Sequence, residues 1–227
     1  NQSGIADRLV RFSHSFLARV RGGLGLVNVA SSMMFGAISG SAVASASAMG
    51  SALIPIMKKE GYDLDYAVNV TATSATTGLL IPPSHNMIIY AIAAGGGVSI
   101  SSLFLAGILP GAILGLALML VTYLVAVKRG YAGGTFPGWR KVLSYFAHAL
   151  PGLFSAFIIL GGILSGVFTA TESSAIAVIY TIIIAVFVYR SLDWQGFVTA
   201  SVNAVKTTAM VLMIIAAAAA FGWLLAV

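Results

Sequence analysis

The chain has 227 residues, of which 59% are hydrophobic and 8% charged, and its net charge is +6. A soluble domain normally has about 25% charged residues, so this composition excludes a free-standing soluble protein and indicates an all-α polytopic membrane protein. The absence of cysteine and the wide separation of His14, His85 and His148 exclude a thiolate or clustered-histidine metal site, and basic residues without interleaved aromatic residues make nucleic-acid binding unexpected.

Residues 1–21 are predicted to form an amphipathic interfacial arm helix. Apolar residues recur there at helical spacing, and arginines occupy positions between them, the apolar set being Ile5, Leu9, Phe12, Phe16 and Val20. Such a helix lies along the lipid headgroups; the alternative is the cytoplasmic end of a preceding transmembrane helix. Because the chain starts without methionine and stops inside an apolar run, the sequence also predicts an internal piece of a longer protein.

Residues 22–57 are predicted to form a re-entrant hairpin. This run has 36 uncharged residues. As one helix it would be about 54 Å long, against about 30 Å of hydrocarbon. Glycine between serines at Ser39-Gly40-Ser41 favours a helix break there. Two full spans with a tight turn and one tilted span are the alternatives, but two short legs fit the length better.

The distribution of basic residues favours a chain that returns after this hairpin. If it returns, residues 66–98 form a broken transmembrane helix, 103–127 a second transmembrane helix, 128–142 a cytoplasmic loop and 143–227 further transmembrane helices. All twelve basic residues then lie on one side of the membrane, as the positive-inside rule requires. A single crossing at 22–57 would divide them between the two sides.

The predicted helix 66–98 is interrupted by Pro82 and Pro83, which follow Gly78. Each proline lacks a backbone donor and clashes with the preceding turn. Such a break at membrane depth is tolerated only where the freed groups are buried in protein or face a polar cavity. Together with the break at residues 39–41, it supplies hydroxyl and carbonyl oxygens that suit an alkali cation, and half-helix N-termini that suit an anionic substrate.

Glu172 is the only acidic residue between Asp65 and Asp193. An acidic residue within a membrane segment is a candidate for ion or substrate binding. The alternative is a structural cap or coupling role, because Thr169 and Glu172 fit the capping-box pattern at the start of a helix over residues 173–189.

Four stretches resemble the large membrane subunit of TRAP (tripartite ATP-independent periplasmic) transporters, in the family's order and over essentially the whole chain: RGGLGLVNVASSMMFGAISGSAVA, GSALIPIMKKEGYD, TTGLLIPPS and GGILSGVFTATESSAIAVIY. The resemblance implies an elevator-type fold of the ion-transporter superfamily, of which this chain is about half of an inverted repeat. A mobile transport domain would hold the hairpin and the broken helix, and a scaffold would begin at residue 143. It also implies a multi-pass protein of the bacterial inner membrane.

The same resemblance implies sodium-driven import of an organic acid, such as a sialic acid or a C4-dicarboxylate. Sodium is the coupling ion, and neither a cofactor nor a transition metal is expected. The implied partners are a small membrane subunit and a periplasmic substrate-binding protein. The implied sodium-binding residues are Ser39, Gly40, Ser41, Gly78, Pro83 and, through its backbone carbonyl, Ile81. The candidate substrate-binding residues are Thr77, Ser84 and Asn86.

Two positions depart from the family pattern. Ser45 stands where an aspartate is common, and His85-Asn86 stands where an apolar residue and a proline are usual. The first changes the local charge near the hairpin, and the second brings a new donor and acceptor toward the substrate. Neither departure removes the cation-binding pattern.

Other functions remain as alternatives. One is a related sodium/dicarboxylate-type transporter that works without a binding protein, and another is a passive channel or structural subunit. An intramembrane hydrolase would pair a tip serine with His85. Nothing in the sequence gives His85 a further catalytic partner, so transport rather than enzymatic catalysis is expected.

Single cysteines at Arg19, Lys59 and Gly97 test the hairpin in the full-length protein, with native cysteines removed. Arg19 and Lys59 flank the hairpin, so both should stay on the cytoplasmic side. In intact cells, a membrane-impermeant thiol reagent should therefore label Gly97→Cys and neither of the other two. Labelling of Lys59→Cys while Arg19→Cys stays protected would show that residues 22–57 cross the membrane.

Overall fold

A computed structural model describes residues 4–95 and 97–226, and every regular element within these ranges is a helix. The first three residues of the predicted arm, Gly96 of the predicted outer loop and Val227 lie outside the described residues. The membrane-protein class expected from composition is confirmed, because four helices are long and apolar enough to cross a bilayer.

Residues 4–95 form five α-helices, none of which is among the four of membrane-spanning length. The fourth helix tightens into a 3-10 turn at Thr76–Leu79 before the chain unwinds. The five helices are α1 (Ile5–Leu17), α2 (Gly23–Ser39), α3 (Ala42–Lys59), α4 (Leu64–Ala75) and α5 (His85–Ala93).

Residues 97–226 form the four helices of membrane-spanning length. The third of them, α8, continues as a π-helical turn at Ile184–Val188. The four helices are α6 (Ile100–Lys128), α7 (Trp139–Leu164), α8 (Ala170–Ile183) and α9 (Trp194–Ala226).

Helices α4, α6, α7 and α8 start two to four residues earlier than the sequence pattern predicts, and local backbone features explain two of these starts. Helix α7 begins at Trp139 rather than residue 143, directly after Gly138, whose φ of 93° ends the preceding loop. Helix α8 begins at Ala170 rather than residue 173, because the side chain of Thr169 accepts a hydrogen bond from the backbone N–H of Glu172 and so caps the first turn.

Helix α2 lies at the centre of the fold and packs against α1, α3, α4, α6 and α7. Val27, Asn28 and Val29 on α2 are fully buried. The Asn28 amide donates a hydrogen bond to the Thr71 hydroxyl at 2.7 Å, which ties α2 to α4. A buried amide must be hydrogen-bonded to be tolerated, so this contact fixes how the two helices align.

Helix α1 packs against protein along its apolar face. Ile5 and Leu9 are buried against Ala149 of α7, and Ala6 and Val10 join a buried cluster with α2 and α3. The helix therefore bridges the hairpin and α7, and only part of its surface is left for lipid.

An ionic cluster joins the start of α4 to the end of α6. Arg129 contacts Asp63 at 2.8 Å and Asp65 at 2.9 Å, and the Tyr131 hydroxyl donates to Asp63 at 2.8 Å. The Tyr66 hydroxyl donates to the Thr122 carbonyl at 3.0 Å beside them. The hydrogen bonds from Arg129 hold the pKa of Asp65 below its ordinary value.

The cluster predicts a pH-dependent contribution to stability. Because the folded pKa of Asp65 is lowered, its stabilising effect is present above the unfolded pKa of about 3.9 and is lost as the pH falls through the folded value. Arg129→Gln should lower the melting temperature of the purified full-length protein at neutral pH, and the difference from wild type should shrink below about pH 4.

Arg140→Gln is the matched control, since Arg140 is an exposed arginine near the start of α7. A similar loss of stability in both variants, or a difference for Arg129→Gln that persists unchanged at low pH, would contradict the assignment.

Candidate functional site: two helix breaks in contact

The tip of the hairpin is a two-residue turn, Gly40 and Ser41, between α2 and α3. Gly40 adopts a left-handed conformation with φ of 62°, and its N–H donates to the Gly36 carbonyl at 2.7 Å, which ends α2. Ser41 is extended, and its hydroxyl accepts from the Ala44 N–H at 3.3 Å, which starts α3. The chain reverses here because glycine supplies the turn and serine the cap.

The second break lies between the 3-10 turn and α5. Pro82 and Pro83, joined by a cis peptide bond, cannot donate backbone hydrogen bonds, so the helix cannot continue through them. The Ser84 hydroxyl donates to the Leu79 carbonyl at 2.7 Å across the unwound segment. Helix α5 then begins at His85.

The two breaks touch backbone to backbone. A methyl group placed on Gly36 would lie 2.6 Å from the Gly78 Cα, and one placed on Gly40 would lie 2.7 Å from the Pro83 carbonyl oxygen. The His85 N–H donates to the Gly40 carbonyl at 3.4 Å. The hairpin tip can therefore reach the unwound segment only with glycine at these positions.

Oxygen atoms converge at the tip. The Ser39 hydroxyl lies 3.4 Å from the Ser45 hydroxyl and 3.4 Å from the Ser41 carbonyl oxygen. Ser45 is completely buried, and a methyl group on Gly78 would lie 3.3 Å from its hydroxyl oxygen. The serine oxygens of the hairpin tip thus lie within a few ångströms of one another, beside Gly78 of the 3-10 turn.

A cavity of about 80 Å³ opens beside the tip. This volume exceeds what a single water needs. Its walls come from both breaks, from α5 and from α7 and α8, and they include Ser39, Pro83, Ser84, His85, Ile163 and Ser174. The cavity therefore lies between the hairpin and the helices predicted to form the scaffold.

The structure brings together most residues of the predicted sodium set. Ser39, Gly40 and Ser41 form the tip, while Gly78 and Pro83 lie against it. The role of the Ile81 carbonyl stays a prediction, and the Ile81 N–H donates to the Thr77 carbonyl at 2.9 Å. Its side chain turns toward α6, where a methyl group on Gly111 would lie 2.9 Å from the Ile81 Cγ1.

The predicted substrate set is dispersed. Ser84 lines the cavity. Thr77 is completely buried, and its hydroxyl donates to the Ser74 carbonyl at 2.7 Å. Asn86 is exposed and lies outside the cavity lining. His85, the neighbouring departure from the family pattern, lines the cavity instead.

Thr169 and Glu172 form a reciprocal capping box. The Glu172 carboxylate accepts from the Thr169 N–H and hydroxyl, both at 2.8 Å, and the Glu172 N–H donates to the Thr169 hydroxyl at 3.3 Å. Both residues lie outside the cavity lining, whereas Ser174 on the same helix is part of it. In this structure the carboxylate organises the start of α8.

Gly36 and Ser45 belong to the site but were absent from the predicted set. Both carried a sequence signal: Gly36 lies one helical turn before Gly40, and Ser45 one turn after Ser41. Residues four apart share a helix face, so both positions face the same region as the tip.

The comparisons with known proteins agree on one family. The sequence model described as "Tripartite ATP-independent periplasmic transporter, DctM component" matches residues 1–227. The protein YgiK of Salmonella typhimurium is 42% identical over 98% of this chain and 51% of its own length. The sialic acid TRAP transporter large permease protein SiaM of Vibrio cholerae is 37% identical over 100% of this chain and 52% of its own length.

The C4-dicarboxylate TRAP transporter large permease protein DctM of Pseudomonas aeruginosa is 39% identical over 98% of this chain and 52% of its own length. The chain thus spans about half the length of these curated relatives.

Gly36→Ala should destabilise the contact between the two breaks. The added methyl group would overlap the Gly78 backbone, and overpacking of this kind costs roughly 1–3 kcal/mol. Thermal unfolding of the purified full-length protein measures the effect. Gly50→Ala on α3 is the matched control, because its nearest neighbour would be a flexible Ile54 methyl at 3.5 Å. Equal stability of the two variants would contradict a tight backbone contact at Gly36.

Proposed function

The chain belongs to the DctM component family of tripartite ATP-independent periplasmic transporters, and we propose that it is part of the large permease subunit of a sodium-coupled transporter that imports an organic acid. It is a segment of a multi-pass protein of the bacterial inner membrane. The proposed activity is transport rather than enzymatic catalysis.

The meeting of the two helix breaks at one small cavity is the observation that supports a sodium site. Ser39 and Ser84 line the cavity, and the carbonyls of Gly40 and Pro83 lie at the contact between the breaks. Hydroxyl and unwound carbonyl oxygens are the ligands that transporters use for sodium. Among the described residues, those that line the cavity include no carboxylate, so neutral oxygens would hold the ion and could release it.

An organic anion is the proposed substrate because a helix N-terminus borders the same cavity. Helix α5 begins at His85, whose side chain lines the cavity. The backbone N–H groups at a helix N-terminus favour negative charge. Two relatives are named for the transport of sialic acid and of C4-dicarboxylates, which are carboxylates. A substrate of the same chemical class is proposed here.

An elevator mechanism would move the hairpin and the broken helix together past the remaining helices. The backbone contact of α2 with the 3-10 turn supports a transport domain of α2 to α5 that moves as one body. Helices α7 to α9 would belong to the scaffold. Helix α1 contacts both parts, which is the position expected of a connecting arm.

The proposed complex contains two further components. A soluble periplasmic protein would capture the substrate and deliver it, and a small membrane subunit would enlarge the scaffold. This arrangement follows the tripartite, periplasmic description of the matching family.

Ser39→Ala should weaken sodium activation of uptake, since it removes a hydroxyl oxygen from the cavity wall. The sodium concentration for half-maximal uptake should rise on the order of tenfold, as it does when a supporting contact is lost at protein metal sites. Uptake of labelled sialic acid and C4-dicarboxylates into proteoliposomes with the complete transporter measures this.

Ser47→Ala, at an exposed serine of α3, is the matched control and should leave the sodium dependence unchanged. Wild-type uptake that is indifferent to sodium would refute the sodium site. Equal effects of the two serine variants on the sodium dependence would show that Ser39 is not part of the sodium site.

A further inference from the structure

A groove of about 350 Å³ lies between α1 and α7, away from the cavity at the hairpin tip. The two helices contribute three polar side chains each. These are Asp7, Arg8, Arg11, Ser144, Tyr145 and His148. The groove is thus lined by two guanidinium groups together with hydroxyl and imidazole groups, which is a donor-rich surface.

Packing fixes the orientation of the groove's polar groups. The Arg8 guanidinium stacks 3.6 Å from the centre of the Tyr189 ring, a favourable cation–π arrangement. The Tyr189 hydroxyl donates to the His148 carbonyl at 3.0 Å. The His148 Nδ1 lies 2.7 Å from the Ser144 carbonyl oxygen, which orients the ring. The Tyr189 ring therefore holds the Arg8 guanidinium at the groove.

The charge of the groove favours an anion. Arg8 and Arg11 supply two positive charges, and Asp7 supplies the one carboxylate among the described residues that line the groove. Planar guanidinium groups bind phosphate through paired hydrogen bonds. Asp7 is exposed, so water screens its repulsion.

The groove is positioned at the membrane interface. Trp139, at the start of α7, is 74% exposed, and tryptophan concentrates at headgroup level. A ligand whose charged group lies in the groove would therefore sit at the level of the lipid headgroups.

From this geometry we propose that the groove between α1 and α7 binds the phosphate of an anionic phospholipid from the cytoplasmic leaflet. Arg8 and Arg11 bind the phosphate oxygens, and the acyl chains extend from the groove into the bilayer. Basic pockets between helices on the cytoplasmic side have the chemistry for such headgroups. The bound lipid would join the arm helix to α7.

The test compares lipid retention by full-length protein. Wild type and Arg8→Gln/Arg11→Gln are reconstituted in mixed phosphatidylglycerol and phosphatidylcholine, washed in detergent, and analysed by native mass spectrometry. Wild type should retain phosphatidylglycerol in preference to phosphatidylcholine. In the double variant the ratio of retained phosphatidylglycerol to phosphatidylcholine should be about 25-fold lower, which is roughly fivefold for each basic residue near an anionic surface. Asp7→Asn should increase it.

Lys58→Gln/Lys59→Gln is the matched control, because it removes two exposed basic residues at the end of α3, outside the groove. Its lipid preference should equal that of wild type. Thermal unfolding in lipid-free detergent identifies any variant that fails to fold. If the double variant fails, Arg8→Lys replaces it, because lysine keeps the charge and removes the stacked guanidinium. Its preference for phosphatidylglycerol should lie between those expected for wild type and the double variant.

Three results would overturn the proposal. Equal retention of the two lipids by wild type would show that the groove does not select an anionic headgroup. A loss in the Lys58/Lys59 control as large as that in the arginine variant would show a general effect of charge. Displacement of the lipid by excess inorganic phosphate, with phosphate bound in its place, would identify a free anion as the ligand.

Discussion

The fold depends on the contact of two backbones at Gly36 and Gly78. A side chain at Gly36 would overlap the Gly78 Cα, so the hairpin and the broken helix can meet only because both positions lack one. The contact places Gly40 against Pro83 one turn further along. Since the freed polar groups of both breaks then lie within protein, two interruptions that lipid would not tolerate become stable together.

This contact also explains why α2 occupies the centre of the molecule. Once its end is fixed against the 3-10 turn, its other buried face is aligned with α4 by the hydrogen bond between Asn28 and Thr71. Its remaining surface packs on α1, α3, α6 and α7. The cavity at the tip consequently has walls from the hairpin and from α7 and α8, so movement of one relative to the other would change its shape.

Charge is distributed differently between the interior and the ends of the helices. Among the described residues, those that line the cavity at the tip have hydroxyl groups, apolar side chains and the His85 imidazole but no carboxylate, and an unpaired carboxylate there would be costly to desolvate. The ionic contacts of Arg129 with Asp63 and Asp65 lie at an exposed position, where water lowers the cost of charge. The groove between α1 and α7, which contains Arg8 and Arg11, is likewise open to the surface.

Hydropathy and local residue patterns are enough to predict the membrane class, the break at residues 39–41, the proline break and the capping pattern of Thr169 and Glu172. Each of these follows from local backbone chemistry or from hydropathy, which a short stretch of chain contains. The packing of the helices was needed to place Gly36 and Ser45 at the candidate site, to bury Thr77 and to bring His85 rather than Asn86 to the cavity. The direction in which a side chain points depends on the packing of distant helices against one another, and no local pattern specifies that packing.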